Sequence, residues 1–418
     1  MTCRQGGITV YDAGSQIDAP EIAAQTNSSD KKKSSGGTSM KHMTTATAVL
    51  ALSSAAASAG GVDRSGQNIG VIFEEGTYAE FSYGYVDPTV SGVGAGAAAN
   101  PAQPTPGAAS GNMSASYSLF GLAYKHQFND KLSFSLIYDQ PYGANVDYPT
   151  GTGYFAGGAT AELNTDALTG LLRYKIDDNF SVHGGLRYQS FAAEAVVPFV
   201  AGYTANGAKD YGLGFVAGAA YERPEIALRV ALTYSSEISH SLATVETGPV
   251  PGTTTTAVET PQSVNLDFQT GIAANTLLFG SIRWVDWSDF DVAPAGYRLA
   301  TTSATNPTGS ALVSYENDAI TYNIGVGRRF NENWSGAVSL GYEKSNGGFA
   351  SNLGPTDGNI SIGLGGTYTN GAIKVTGGVR YIDIGDANTT LSAASGLAAG
   401  NFTGNKAIAV GFKVGYSF

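Results

Sequence analysis

Few residues of this chain have the type and spacing that catalysis or metal binding requires. The 418 residues contain four histidines and one cysteine, which lie far apart in the sequence: His42, His126, His183, His240 and Cys3. A zinc or thiolate site needs several such ligands at short spacings. We therefore expect no metal and no cofactor, and we interpret His183 as a hydrogen-bonding residue rather than a general base.

Two motifs that often accompany enzymatic chemistry give no better candidate. Gly92, Gly94 and Gly96 match the spacing of nucleotide-binding glycines superficially, but they lead into Ala, Asn and Pro instead of a helix. No convincing Gly-x-Ser-x-Gly elbow is present, and no Ser/His/Asp set can be assembled from the sequence. We interpret the glycine-rich segment as a flexible loop.

The composition favours a β-rich membrane protein over a nucleic-acid-binding or helical membrane protein. Only 14% of the residues are charged, 56 are glycine, and tyrosine and phenylalanine number 23 and 18. The net charge of −11 and the dispersed basic residues exclude a nucleic-acid partner. Mean hydropathy is −0.05, and no window of eighteen apolar residues occurs, so a helical membrane span is not expected.

Residues 1–59 are predicted to be absent from the mature protein. Residues 1–39 are polar and irregular, and residues 40–59 comprise a short basic region, an apolar run and the ending Ala57-Ser58-Ala59. This arrangement is typical of a secretory signal peptide. We expect translation to begin at Met40 or Met43, which makes residues 1–39 a mis-called start; a disordered extension is the alternative.

The last fourteen residues alternate strictly between two faces. One face consists of apolar side chains, whereas the other carries small residues and Lys413; the apolar residues are Ile408, Val410, Phe412, Val414, Tyr416 and Phe418. A period of two predicts a β-strand, and this pairing of faces suits lipid on one side and a wet lumen on the other. The last strand of a soluble sandwich is the alternative.

The same alternation recurs along the chain. Fourteen segments show it, namely 77–87, 114–128, 132–143, 160–176, 180–195, 209–222, 226–242, 262–273, 276–290, 315–330, 334–345, 357–369, 372–386 and 403–418. In five of them a basic residue falls on the face opposite the apolar one: Arg173, Arg187, Arg229, Arg380 and Lys413. A charge facing lipid costs about 2–4 kcal/mol at the bilayer midplane, so a barrel places all five inward.

The connections between these segments alternate in length. Short turns rich in Asn, Asp, Gly and Pro occur at 129–131, 177–179, 223–225, 274–275, 331–333 and 370–371, with longer loops between them. This asymmetry is typical of bacterial outer-membrane barrels. We predict an all-β fold, a 14-stranded antiparallel transmembrane β-barrel over residues 77–418, with residues 60–76 as a short N-terminal lumen plug or a tail.

Several segments resemble the FadL family of outer-membrane transporters. The strongest is 138–144 (Tyr-Asp-Gln-Pro-Tyr-Gly-Ala), supported by the segments 171–175, 184–188 and 280–288. The resemblance implies passive uptake of long-chain fatty acids or other hydrophobic compounds and release through a lateral opening at Pro141, Tyr142 and Gly143. A proline removes a ladder hydrogen bond, which suits such an opening, although Pro141 could simply end the strand. The family's hatch is longer than residues 60–76 and carries an Asn-Pro-Ala motif that is not found within residues 60–76.

Candidate ligand-binding residues lie in the plug, the lumen and one loop. The segment 196–208 begins with an apolar run, which a water-facing loop does not need unless it captures a ligand or packs as a lid. We take as candidates Phe73, Arg187, Phe199, Val200 and Tyr203. The expected partners are hydrophobic small molecules, outer-membrane lipids and, through the terminal Phe418, the barrel assembly machinery.

Two other functions remain open at this point. A diffusion porin for polar solutes predicts an unobstructed lumen. An outer-membrane lipase or protease would need a His/Ser or Asp/His pair at the loop end, for which only His183 and His240 are available. We expect no enzymatic activity.

Overall fold

The computed structural model describes residues 62–96, 105–304, 306–391 and 397–418. The predicted extension at 1–39 and signal peptide at 40–59 lie outside these residues.

Fourteen antiparallel strands close into one barrel. In chain order they are β1 (Tyr78–Thr89), β2 (Tyr117–Gln127), β3 (Leu132–Asp139 and Gly143–Asp147), β4 (Thr160–Lys175), β5 (Phe180–Val197), β6 (Tyr203–Arg223), β7 (Leu228–Ser235 and Ile238–Thr247), β8 (Gly252–Thr260 and Ser263–Ala273), β9 (Thr276–Val285), β10 (Ala319–Arg329), β11 (Trp334–Glu343), β12 (Asn359–Asn370), β13 (Ile373–Ile384) and β14 (Asn405–Ser417). The barrel closes where β1 pairs with β14, from Tyr78 opposite Ser417 to Thr89 opposite Lys406. The predicted fold class is confirmed.

The two faces of the strands have the polarity of a membrane barrel. In β14, Ile408, Val410 and Phe412 are exposed on the outer surface, whereas Lys413 on the opposite face is only 6% exposed. Arg173, Arg187 and Arg380 are likewise buried towards the lumen. An apolar exterior around a charged interior is stable only where lipid replaces water outside the wall.

The strands extend further at the long-loop end than the alternation predicted. β6 begins at Tyr203 and not at 209, so the connection from β5 is only the turn 198–202. β7 and β8 continue as a paired hairpin from Ile238 to Thr260. The prediction stopped short because Thr- and Gly-rich segments of this kind lack a large apolar face.

The loops contain their own small elements. Short strands outside the barrel pair with one another: Asp291–Val292 with Val313–Ser314, and Phe349–Ala350, Ala387–Thr389, Gly400–Phe402 and Gly92–Gly94 in a second small sheet. Among the described residues, the helices are the α-helix α1 (Ala295–Ala300) and 3-10 turns at Gly70–Phe73, Pro224–Ile226 and Trp287–Asp289. Within the described ranges, no helix has the length and apolar character needed to cross a membrane.

Candidate functional site

Residues 62–76, here called the plug segment, cross the interior of the barrel. Arg283 on β9 forms an ion pair with Asp63, with 2.6 Å between Nε and Oδ2. On β8, Asn265 Nδ2 donates to the Gly66 carbonyl at 3.0 Å, and Ser263 Oγ donates to Gln67 Oε1 at 2.9 Å. These contacts attach the segment to the side of the lumen formed by β8 and β9.

The other side of the plug segment is attached to β3, at the break between its two halves. The Arg64 amide donates to the Pro141 carbonyl at 2.8 Å, and the Gly143 amide donates to the Val62 carbonyl at 2.8 Å. Ser65 Oγ also donates to the Asp139 carboxylate. The segment therefore spans the lumen, and it supplies backbone partners that β3 would otherwise take from a neighbouring strand.

The later part of the plug segment is held among charged side chains nearer the short turns. The Phe73 ring lies between two guanidinium groups, with Arg173 Cζ at 4.6 Å and Arg229 Cζ at 4.5 Å from its centroid. Glu74 forms an ion pair with Lys374 at 3.2 Å. Such cation–π contacts are worth about 0.5–2 kcal/mol each, so Phe73 is fixed in the lumen.

Pairing between β2 and β3 is interrupted. The ladder runs from Gln127 opposite Ser133 to Leu122 opposite Tyr138, and no further pair joins the two strands until an isolated bridge between Ser114 and Val146. Within this gap the Phe120 amide donates to the side chain of Gln140, with 3.0 Å to Oε1. A proline at position 141 suits the break because it has no amide hydrogen.

A pocket lies in the barrel wall at this gap, and it is here called the wall opening. It encloses about 120 Å³, and it is lined on the lumen side by the plug segment through Ser65 and Asn68. Outward-facing residues such as Phe120 and Leu122 line it too. The lining of the wall opening therefore combines residues of the plug segment with residues of the lipid-facing surface.

A second and more apolar cavity, here called the cavity, lies at the long-loop end. It encloses about 150 Å³, and its lining comes from strands and loops far apart in sequence: Val90, Met113, Ala144, Leu163, Leu242, Val292, Leu312 and Leu353. Val62, Asp63 and Arg64 of the plug segment also line it. Because Ser65 and Asn68 line the wall opening, the plug segment lies between the two spaces.

A buried carboxylate fastens the loop that covers the cavity. Glu246 on β7 accepts hydrogen bonds from the Tyr203 hydroxyl at 2.5 Å and from the Gly296 and Tyr297 amides at 3.1 and 3.0 Å. The amides belong to the first turn of α1, where an anion is stabilised. Burial raises the pKa of Tyr297 to about 12, so this residue stays neutral in ordinary buffers. The cavity-lining Val292 lies three residues before the start of α1 in this loop.

The structure brings some predicted site residues together and leaves others apart. Pro141, Tyr142 and Gly143 lie at the break in β3, where the Tyr142 ring packs edge-on against Trp287. Phe199 and Val200 pack against the loop core that contains Tyr203. Within the described residues, the cavity lining includes none of Phe73, Arg187, Phe199, Val200 or Tyr203. Their assignment as ligand-binding residues stays a prediction.

Two residues of the site had no clear sequence signal. Arg64 lies in a segment without alternation, so no face could be assigned to it. Glu246 lies just beyond the predicted end of its strand, although a lone acidic residue flanked by Val and Thr could have indicated a longer hairpin.

Comparison with known proteins identifies the family. Residues 28–418 match the family model described as outer membrane protein transport protein (OMPP1/FadL/TodX). The chain belongs to this family. The resemblance inferred from the sequence is thereby confirmed, whereas a search of curated protein sequences returns no match.

Solved structures support the same fold. A Pseudomonas aeruginosa FadL homologue has a TM-score of 0.67 at 15% identity, covering 84% of this chain and 92% of its own. The toluene transporters TbuX of Ralstonia pickettii and TodX of P. putida both have TM-scores of 0.56, at 10% and 11% identity. They cover 83% and 82% of this chain and 90% and 91% of their own. The protein is thus an outer-membrane β-barrel of a family that transports hydrophobic compounds.

Proposed function

We propose that this protein mediates passive uptake of hydrophobic molecules, long-chain fatty acids among them, and releases them sideways through the wall opening between β2 and β3. The observation that carries the proposal is the position of the plug segment. Its residues Val62 and Arg64 line the apolar cavity, and its residues Ser65 and Asn68 line the wall opening. A small movement of one segment would connect a binding site with the membrane.

The dimensions of the cavity support a compact apolar ligand or the end of a longer one. A cavity of about 150 Å³ accommodates a benzene-sized molecule in another protein. Burying roughly 150–250 Å² of ligand surface, as an aromatic side chain does, stabilises the complex by about 4–6 kcal/mol. A long fatty acid would place only part of its chain in the cavity. Binding of this strength permits release, which passive uptake requires.

The contacts of the plug segment with the lumen wall support this function over a diffusion porin. The plug segment is fixed to β3, β8 and β9, and Phe73 is held between Arg173 and Arg229. A polar solute would have to displace these contacts to pass straight through the barrel. A hydrophobic molecule that leaves through the wall does not need to displace all of these contacts.

Displacement of a fluorescent long-chain fatty acid from the purified barrel in lipid nanodiscs tests the proposal. We expect saturable displacement by oleate and weaker displacement after Leu163→Asp, which places a charge in the cavity lining. Phe199→Asp tests the predicted loop candidate in the same assay. The control places the same charge outside the cavity, at an exposed loop residue: Leu391→Asp. An outer-surface residue such as Leu340 is unsuitable because its side chain faces lipid. Absence of binding combined with steady ion conductance would support the porin.

A further inference from the structure

Arg64 is a buried cation at the border of the apolar cavity. The residue is 7% exposed, and its Cζ lies 4.0 Å from the centroid of the Tyr117 ring. Nη2 donates to Asn145 Oδ1 at 2.5 Å. The guanidinium group lies against the α-carbon of Gly143, where any side chain would overlap it. Glycine at position 143 therefore leaves room for the Arg64 side chain at the break in β3.

Glu162 attracts the charge of Arg64 only from beyond ion-pair distance. Over the described ranges, no carboxylate forms an ion pair with it, and its Nε is buried without a hydrogen-bond partner. The adjacent Asp63 is engaged by Arg283. Burying a cation is costly unless an anion or several hydrogen bonds compensate, and the Tyr117 ring compensates only in part. An unoccupied donor beside a ligand cavity points to an anionic group on the ligand.

Carboxylate is the anion that this position fits. A guanidinium group presents parallel N–H donors to the two oxygens of a carboxylate, and charge-assisted bonds of this kind are stronger than neutral ones. The neighbouring lining is apolar at Val62, Ala144 and Leu163, which suits a hydrocarbon body. A dianion is disfavoured because Glu162 and Glu194 also line the cavity.

We propose that Arg64 makes the cavity selective for monocarboxylates among hydrophobic ligands, with the carboxylate on the guanidinium group and the hydrocarbon part in the cavity. This inference rests on the proposed function and names the ligand class for the same site. It also assigns specificity to the plug segment rather than to the lumen arginine Arg187, which bonds instead to the Thr169 hydroxyl at 2.9 Å.

A pair of probes that differ only in their head group tests the inference. Binding of 4-phenylbutyrate and 4-phenylbutanol to the barrel in nanodiscs is measured by calorimetry at pH 7.5. We expect the carboxylate to bind at least about tenfold more tightly than the alcohol, because hydrogen bonds to charged groups contribute more than neutral ones. Arg64→Gln should abolish this ratio by weakening carboxylate binding far more than alcohol binding, while Arg64→Lys should retain part of it.

Two further variants separate selectivity from folding. Gly143→Ala forces the guanidinium group to move although Arg64 is still present, so it should also lower the ratio. Arg298→Gln removes an arginine that pairs with Asp291 on the protein surface, and it should leave the ratio as it is. The thermal unfolding temperature of each variant is measured alongside.

Every other outcome contradicts either the inference about Arg64 or the proposed function. An unchanged ratio in Arg64→Gln overturns the inference and leaves the proposed function intact, because both probes still bind. Equal weakening of both probes assigns Arg64 a structural role and also overturns it. If the unaltered protein binds neither probe nor oleate, the proposed function itself is contradicted, and the inference with it.

Discussion

Two seams of the barrel wall, separated by the two strands β1 and β2, are built differently. The seam between β1 and β14 is continuous over twelve residue pairs, from Tyr78–Ser417 to Thr89–Lys406. The seam between β2 and β3 has six pairs and then opens above Leu122 and Tyr138. In the first seam, the strands satisfy each other's backbone groups. In the second, the groups near the break are satisfied by the plug segment and by the side chains of Gln140 and Thr165.

The difference shows how a membrane barrel can contain an interrupted strand ladder. Lipid offers no hydrogen bonds, so an opened ladder is stable only if other groups replace the missing strand. Here the Pro141 carbonyl and the Gly143 amide bond inward to Arg64 and Val62, and Gln140 accepts from the Phe120 amide. The interrupted seam therefore depends on the plug segment, whereas the continuous seam does not.

Removing residues 62–73 has the largest expected effect. Without these residues the break in β3 loses its inward partners and the cavity loses Val62, Asp63 and Arg64 from its lining. We expect ligand affinity to fall by about tenfold or more, which corresponds to about 1.4 kcal/mol. Ion conductance in planar bilayers should rise strongly because the lumen is unblocked.

The continuous seam provides the internal control for this deletion. Amide hydrogen exchange should increase at 118–121 and 140–145 and stay slow across β1 and β14. Unchanged conductance, or equal loss of protection in both seams, would show that the plug segment does not support the opening.

Replacing the side chain that bridges the gap should have an intermediate effect. Gln140→Leu leaves the Phe120 amide without its acceptor at the lipid-facing opening. An unsatisfied group of this kind costs about 1–3 kcal/mol. Urea unfolding of the barrel in lipid vesicles should show this loss in the free energy of unfolding. No loss would mean that another group accepts the bond.

The smallest effect is expected where the ladder is intact. Tyr83 on β1 and Ser118 on β2 share a hydrogen bond of 3.0 Å between their hydroxyl groups, and β1 and β2 are paired along this stretch. Tyr83→Phe removes only a side-chain bond, which contributes about 0.5–1.5 kcal/mol. The same unfolding assay should therefore rank it below Gln140→Leu. If Tyr83→Phe lowered the free energy of unfolding more than Gln140→Leu, the interrupted seam would not be the more sensitive one, and the distinction between the seams would be wrong.

The barrel wall could be predicted from the sequence because the alternation of apolar and polar residues arises within each single strand. Alternation placed Arg173, Arg187 and Arg380 inward, and the structure confirms that they are buried. Pro141 indicated the position of the break in β3 because proline cannot complete a ladder. Each of these features depends on the neighbouring residues of one strand.

The site could not be predicted in the same way. Its lining combines Met113, Leu242, Leu312 and Leu353, which only the closed barrel and its loops bring together. The role of Arg64 depends on Gly143, which lies about eighty residues away and is brought close through the hydrogen bonds of the plug segment. No periodic pattern reports such contacts.

The most direct test of lateral release measures the rate at which the ligand arrives in the bilayer. A fluorescent fatty acid bound to the barrel is followed in nanodiscs that contain brominated lipids, which quench it on arrival. Ala123 lines the wall opening and Ala231 faces the lumen on β7, so Ala123→Trp fills the opening and Ala231→Trp serves as the matched control. We predict that quenching slows by about tenfold in Ala123→Trp, equivalent to about 1.4 kcal/mol in the barrier, with binding unchanged. Equal quenching rates in both variants and in the unaltered protein would contradict lateral release.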